Sequence, residues 1–165
     1  MIHPELFVFD LDFTLWDCGG LWCDHTQPPY VKGGHFVFDS RERCLSLYPD
    51  VPDILQTLSQ QGIRLALASR TSKPDWAQKL IHLFDIGKYF SYSEIYPGSK
   101  ITHFERLREK TALPYSAMIF FDDESRNIHE VSSLGVKSVI IPRGLEWKHI
   151  PGFAQSRQNS NQTTA

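Results

Sequence analysis

Leu6-Phe7-Val8-Phe9-Asp10-Leu11-Asp12-Phe13-Thr14 joins four apolar residues to a pair of carboxylates two positions apart. A short, unbroken apolar run bounded by polar residues reads as a strand buried on both faces, the kind found inside parallel sheets. Asp10 and Asp12 leave its C-terminal end. In open α/β sheets ligands bind beyond the C-terminal strand ends, where the strand order reverses, so both carboxylates point toward one polar mouth. Such a pair also occurs in ordinary loops. Its meaning depends on what the other strands bring to the same mouth.

Downstream the chain repeats one rhythm of short apolar run, turn and amphipathic helix. Asp50 reads as the N-cap of a helix with Val51, Ile54, Leu55 and Leu58 on one face, stopped at Gly62. Residues 63–68 form a second buried strand, ending at Ser69. Thr71 or Ser72 caps the next helix, with Trp76, Ala77, Leu80, Ile81 and Phe84 as its apolar face. Residues 92–96 give a third strand before the turn signal Pro97-Gly98. Lys100 opens a helix whose Ile101, Phe104 and Leu107 are spaced to face inward. Residues 117–121 form a fourth strand ending at Asp122-Asp123. Ser125 caps a helix carrying Ile128, Val131 and Leu134, and residues 136–141 form a fifth strand.

Strands alternating with helices predict the α/β class: a doubly wound, Rossmann-like parallel sheet with helices on both faces. Residues 17–48 read as an irregular insert, rich in Gly, Pro, His and aromatics, with a short hairpin near Phe36-Val37-Phe38. The Ser-, Asn-, Gln- and Thr-rich tail, 155–165, reads as disordered. The expected organisation is a single domain over 1–154 with a small flap at 17–48 and no large cap domain.

Composition narrows the partners. Hydrophobic residues make up 41% of the chain, enough for a core, and the formal net charge is −2. Bulk charge therefore offers nothing to nucleic acid or to a membrane surface. No apolar run reaches membrane-span length, and Met1-Ile2-His3-Pro4-Glu5 lacks the features of a signal peptide. A cytoplasmic location, with the nucleus also open, is the expectation. Cys18, Cys23 and Cys44 are an odd count, which argues against a disulfide framework. Cys18, Cys23 and His25 lie close in sequence, but the spacing is wider than a zinc-ligand pair and no second pair follows, so free thiols are expected. The seven histidines scatter without metal spacing, and most read as surface or loop residues. Trp16, Trp22, Tyr30 and Phe36 either rim the site or pack a small hairpin.

Four polar clusters sit at strand ends or a helix start: Asp10 with Asp12, Ser69 with Arg70, Lys100, and Asp122 with Asp123. Converging carboxylates repel one another and raise their own pKa values. A hard divalent cation relieves this, and an all-oxygen set with room for waters and phosphate suits magnesium (Mg2+). The plainer alternative is that Asp122 and Asp123 cap the next helix. A serine hydroxyl and backbone N–H at Ser69 fit a phosphoryl oxygen, and Arg70 offers a planar fork to an anion, although the pair also suits a helix cap. Lys100 at a helix start opposes the helix dipole, a misfit that hints at an anionic partner.

Taken in order, Asp10-Leu11-Asp12-Phe13-Thr14, Ser69, Lys100, and Asp122-Asp123 with Asn127 resemble the four-motif pattern of the haloacid dehalogenase superfamily. Leu11-Asp12-Phe13-Thr14-Leu15-Trp16, Ala68-Ser69-Arg70-Thr71-Ser72, Ile95-Tyr96-Pro97-Gly98-Ser99-Lys100 and Phe120-Phe121-Asp122-Asp123-Glu124 are similar to one branch of it, the eukaryotic magnesium-dependent phosphatase type 1 family. The resemblance spans residues 6–141. It implies that Asp10 is a nucleophile forming an aspartyl-phosphate. It further implies that Asp12 is the proton donor and acceptor. Magnesium would be held by Asp10, the Asp12 backbone carbonyl and Asp123. Ser69 and Lys100 would bind phosphoryl oxygens and Arg70 the substrate, with Thr14, Asp122 and Asn127 in support. Asn127 replaces an acid common at that place in the superfamily, which lowers the local negative charge.

Rival enzyme classes fit less well. A cysteine phosphatase needs an arginine in its phosphate loop, but six residues beyond Cys18, Cys23 and Cys44 stand Asp24, Pro29 and Asp50. A catalytically weak phosphate-binding module would be expected to have lost part of the acid and lysine set, which is intact. A phosphomutase or phosphotransferase must exclude water, and the 17–48 insert is too short for a closing lid. The expected reaction is hydrolysis of phosphate monoesters, phosphotyrosyl or sugar phosphates, by a monomer.

Overall fold

The computed structural model describes residues 3–153. β1 (Leu6–Phe9) is followed by the two-residue β2 (Trp16–Asp17), β3 (Val31–Gly33), β4 (Phe36–Phe38) and β5 (Cys44–Leu47). From there helices and strands alternate: α1 (Val51–Gln60), β6 (Arg64–Ser69), α2 (Pro74–Leu83), β7 (Tyr92–Ile95), α3 (Lys100–Thr111), β8 (Met118–Asp122), α4 (Ser125–Ser132) and β9 (Lys137–Ile140). The tail expected to be disordered, 155–165, lies outside the described residues. Among the described residues, no helix is long and apolar enough to cross a membrane.

The main sheet runs β7-β6-β1-β8-β9, with every pairing parallel. β1 lies at its centre: Phe9 aligns with Leu67 on one side and Phe121 on the other. The chain leaves β1 toward β7 on one side and returns to β8 on the other, so the order reverses at β1 and places the mouth beyond Phe9. Alternate β1 residues enter two cores. Phe7 and Phe9 pack in the layer holding Ile54 and Leu58 of α1 and Leu80 of α2. Leu6 and Val8 join Phe104 and Leu107 of α3 and Val131 of α4. Burying four such side chains contributes about 1.5–3 kcal/mol each, so Asp10 leaves a backbone held on both faces and by both neighbouring strands.

The five expected strands and four helices are present, but several helix starts differ from the sequence reading. Asp50, Thr71, Ser72 and Ser125 do not cap helices through their side chains. The Asp50 carboxylate instead accepts from Trp147 N at 3.1 Å, and Thr71 Oγ1 accepts from Lys73 N at 3.2 Å. On α3 the buried face is Lys100, His103, Phe104 and Leu107, whereas Ile101 is only half-buried. His103 is an exception to the surface or loop reading of most histidines. It is fully buried, stacks on Tyr96 with ring centroids 4.3 Å apart, and its ring nitrogens lie 2.9 Å from the carbonyls of Ser99, Ser69 and Tyr96. Burial holds its pKa below the ordinary value.

The insert is more regular than its periodicity suggests. Its strands form an antiparallel sheet ordered β2-β5-β4-β3, of which β3–β4 is the expected hairpin. The buried Asp39 carboxylate organises the β4–β5 turn, accepting from the backbone N–H groups of Gln27, Arg41 and Arg43 and from the Arg43 guanidinium.

Candidate active site

Lys100 is the hub of the strand ends. Its side chain is fully buried, and Nζ donates to Asp10 Oδ1 and Asp122 Oδ2, each at 2.8 Å, and to the Ala68 carbonyl. Its three donors meet three acceptors, from β1, β8 and β6. Phe120 places its ring centroid 5.1 Å from the ammonium. Ser99 Oγ caps α3 by accepting from Ile101 N. The misfit of a lysine in the first turn is thus resolved by two carboxylates. Burial alone would push the Lys100 ammonium down in pKa, but the charges of Asp10 and Asp122 outweigh it and hold it above the ordinary value.

Asp10, Asp122 and Asp123 each offer an oxygen, all within 4.8 Å of one another. Burial and the charge of Asp122 raise the Asp10 pKa well above its usual range, against the opposing pull of Lys100. Burial and Asp122 likewise push Asp123 up to about 6. One lysine therefore underpays for three carboxylates, and a divalent cation fits that deficit. Among the described residues this is the sole group of three or more acids, thiols or imidazoles close enough to share an ion. Asp122 is itself fixed: Oδ1 accepts from Glu124 N at 2.8 Å, and Asn127 Nδ2 donates to Oδ2 at 3.1 Å. Asn127 in turn accepts from Arg70 Nη1 at 3.0 Å.

Four carboxylates do not converge, as expected from sequence; three do. Asp12 stands apart, its Oδ1 accepting from Trp16 Nε1 at 2.7 Å and from Cys23 N at 2.9 Å. Burial raises its pKa, and those two donors oppose the rise. Thr14 is fully buried with Oγ1 unpartnered, while its carbonyl accepts from Leu145 N at 2.9 Å. A pocket of about 280 Å³ opens over Asp10 and brings together Asp12, Ser69, Arg70, Lys100 and Asn127.

A family model described as Acid Phosphatase matches residues 2–159. This chain belongs to that acid phosphatase family. Over 144 residues it is 52% identical to Magnesium-dependent phosphatase 1 of Homo sapiens, covering 86% of this chain and 80% of the human protein. A HAD-like hydrolase superfamily protein of Schizosaccharomyces pombe is 36% identical over 146 residues, covering 81% of this chain and 83% of that protein. Among solved structures, a HAD family enzyme of Bacteroides thetaiotaomicron in complex with magnesium and inorganic phosphate matches with a TM-score of 0.65 at 14% identity, over 88% of this chain and 98% of that one. At that identity the likeness establishes the fold alone: the α/β, haloacid dehalogenase-type sheet without a large cap.

In this acid phosphatase-family chain the flap aromatics divide. Trp22 lines the pocket and is 44% exposed. Trp16 and Tyr30 are buried, and Phe36 borders a separate groove with Tyr48 and Phe84. Asp24, Thr71, Glu124 and Arg126 also line the pocket, and sequence reasoning missed all four. Thr71 and Glu124 stand inside the quoted motifs without an assigned role, Arg126 adjoins Asn127, and Asp24 lies in the flap near Trp22. Two of the three thiols, Cys18 and Cys23, are buried. Burial pushes Cys18 and Cys23 far above the ordinary thiol pKa, and Cys23 Sγ lies 3.4 Å from Thr71 Oγ1.

Proposed function

We propose that Asp10 is the nucleophile of a phosphomonoesterase and Asp12 its general acid and base, with the pocket open to aryl and sugar phosphates. The chain is a magnesium-dependent phosphatase of the haloacid dehalogenase class; the proposal concerns its mechanism and substrates. What carries it is the juxtaposition at the sheet's switch point. The Asp10 carboxylate is gripped through Oδ1 by the buried Lys100, beside two further acids.

Asp10, Asp123 and the Asp12 backbone carbonyl would hold magnesium, which supplies positive charge against the phosphate and lets the carboxylates stay ionised. Lys100 anchors Asp10 and shares its charge with the phosphoryl oxygens. Ser69 adds a hydroxyl and Arg70 reaches the substrate beyond the phosphoryl group. An Asp10 oxygen bonds to phosphorus as the ester P–O bond breaks, and Asp12 gives its proton to the leaving oxygen. Asp12 then takes a proton from water, whose oxygen bonds to phosphorus as the acyl P–O bond breaks. Inorganic phosphate leaves and Asp12 is protonated again. Phosphoryl transfer asks the protein mainly for position and charge, and the motif residues supply both.

Chelator should abolish activity on p-nitrophenyl phosphate, and magnesium should restore it. Calcium should restore it poorly, because its larger and looser shell misplaces the phosphate. Full turnover in excess chelator would remove the metal from the scheme. For substrate breadth, Arg70→Ala should lower kcat/KM for phosphotyrosine and sugar phosphates about tenfold, the worth of one charge-assisted contact. The smallest alkyl phosphate should be much less affected. Equal losses across the panel would place Arg70 in support of Asn127 rather than on the substrate.

A further inference from the structure

The N–H donors to the Asp12 carboxylate all fall on one oxygen, with the Cys23 thiol also bearing on the group. Oδ1 accepts from Trp16 Nε1 at 2.7 Å and from Cys23 N at 2.9 Å, and the Cys18 thiol stands 3.9 Å away. Among the described residues Oδ2 accepts from no N–H donor, and it is not among the sealed, unpartnered atoms. Asp12 lines the pocket beside Asp10. With two N–H donors on Oδ1, that oxygen's lone pairs are committed, so the proton exchanged with a substrate must travel through Oδ2.

The strongest of these donors is the indole. Trp16 is fully buried, yet its N–H ends on the acid. A tight turn sets the distance: Trp16 N donates to Leu11 O at 3.2 Å, and Phe13 N donates back to Trp16 O at 2.8 Å. β2 locks Trp16 against Leu47 of β5, and Phe84 packs on the ring with centroids 6.0 Å apart. The flap sheet and the end of α2 therefore clamp the indole from both sides. A purely structural tryptophan would need some acceptor for its N–H when buried. Here the acceptor is the one carboxylate of the motif that is left out of the Lys100 cluster.

We propose that Trp16 is a positioning residue for the leaving-group proton: its indole N–H holds Asp12 by Oδ1 and turns Oδ2 toward the ester oxygen. This rests on the reading of Asp12 as general acid. It gives the flap a task in catalysis apart from covering the site, since β2 and β5 hold the indole that aims the acid. A mis-aimed acid harms poor leaving groups most, because a nitrophenolate departs without a proton and an alkoxide does not.

The test compares kcat/KM, which reports the step that breaks the ester bond, for p-nitrophenyl phosphate, phenyl phosphate and an alkyl phosphate. Two variants are used with magnesium present. Trp16→Phe removes the N–H and part of the ring. Replacing Trp16 with 3-benzothienylalanine swaps N–H for sulfur at nearly constant shape, and serves if the phenylalanine variant does not fold. General acid catalysis contributes about 10²–10⁴-fold, so partial loss of aim should cost the alkyl ester about 10- to 100-fold and p-nitrophenyl phosphate about threefold or less. Asp12→Asn is the control and should steepen the leaving-group dependence further. If Asp12→Asn steepens it and the benzothienyl variant does not, Trp16 is only core and the proposal fails. If Asp12→Asn slows every ester equally, the acid assignment itself fails, and the proposal falls with it.

Discussion

Asp10→Asn is expected to abolish turnover at saturating magnesium, by at least ~10⁴-fold, the scale seen when a covalent nucleophile is removed. It is also expected to make the cation-free protein more stable. Asparagine keeps the shape and can still accept from Lys100, which retains Asp122 at 2.8 Å. What disappears is a buried charge whose ionisation is resisted by burial and by Asp122. Sites that hold like charges together for function commonly gain stability when one is neutralised. A gain of about 1 kcal/mol would raise the melting temperature by about 2–4 °C for a chain of this size.

The pH dependence of that gain has a definite sign. A carboxyl whose pKa is raised by folding destabilises the native state as pH rises from its unfolded value through its folded one, because the unfolded chain ionises first. Asp10 is raised, and Asp123 is pushed up to about 6. The advantage of Asp10→Asn should be absent at low pH, where Asp10 is protonated in both states, and should grow as pH rises from the ordinary carboxylate range through the raised pKa of Asp10. Thermal melts at several pH values in chelator, paired with single-turnover assays in magnesium, measure both effects. Near-normal turnover would mean that another residue attacks phosphorus. A variant less stable than wild type at neutral pH would mean that Lys100 needs both carboxylates.

Much of this site was legible in the sequence because its parts break local rules. Two acids directly after a buried strand, and a lysine at the positive end of a helix, are locally unfavourable, and such misfits concentrate where function compensates for them. The dipole misfit of Lys100 correctly implied an anionic partner; its identity as Asp10 and Asp122 required the fold. His103 was also within reach. It falls on the same helical face as Lys100, Phe104 and Leu107, a spacing of three and four residues, but the apolar pattern was read through Ile101 instead. The flap was less legible for a physical reason. β3 is exposed at all three residues, and the β4–β5 turn is set by one buried carboxylate, Asp39. Without a half-buried face there is no alternation to read. Trp16 illustrates the remaining gap. Its aromatic character was visible, but the direction of one N–H toward Asp12 depends on the turn from Leu11 and on a strand pairing with Leu47, 31 residues away in sequence.

Lys100→Met should cost more stability than any other single change in the site, and should lower turnover as well. Methionine fills similar volume without charge, leaving Asp10 and Asp122 facing each other with no cation between them, and Asp122 is fully buried. Removing one partner of a buried ion pair costs about 3–5 kcal/mol, against a total of about 5–15 kcal/mol for a typical domain. Asp10 has one escape, which is to bind a proton. Loss of the ammonium removes the interaction that opposes the raised pKa of Asp10, so that pKa should climb further. The penalty should therefore shrink as pH falls toward the carboxylate range and be greatest at neutral and alkaline pH. Magnesium should recover part of the lost stability, since it binds the folded carboxylates and not the unfolded chain. It should not recover turnover, because the nucleophile has lost its anchor and the phosphoryl oxygens the fixed cation on their far side. Urea unfolding of Lys100→Met at pH 5 and pH 8, with and without magnesium, alongside assays with p-nitrophenyl phosphate, measures these effects. A stability loss under about 1 kcal/mol at pH 8 would mean that the ion-pair description of this cluster is wrong.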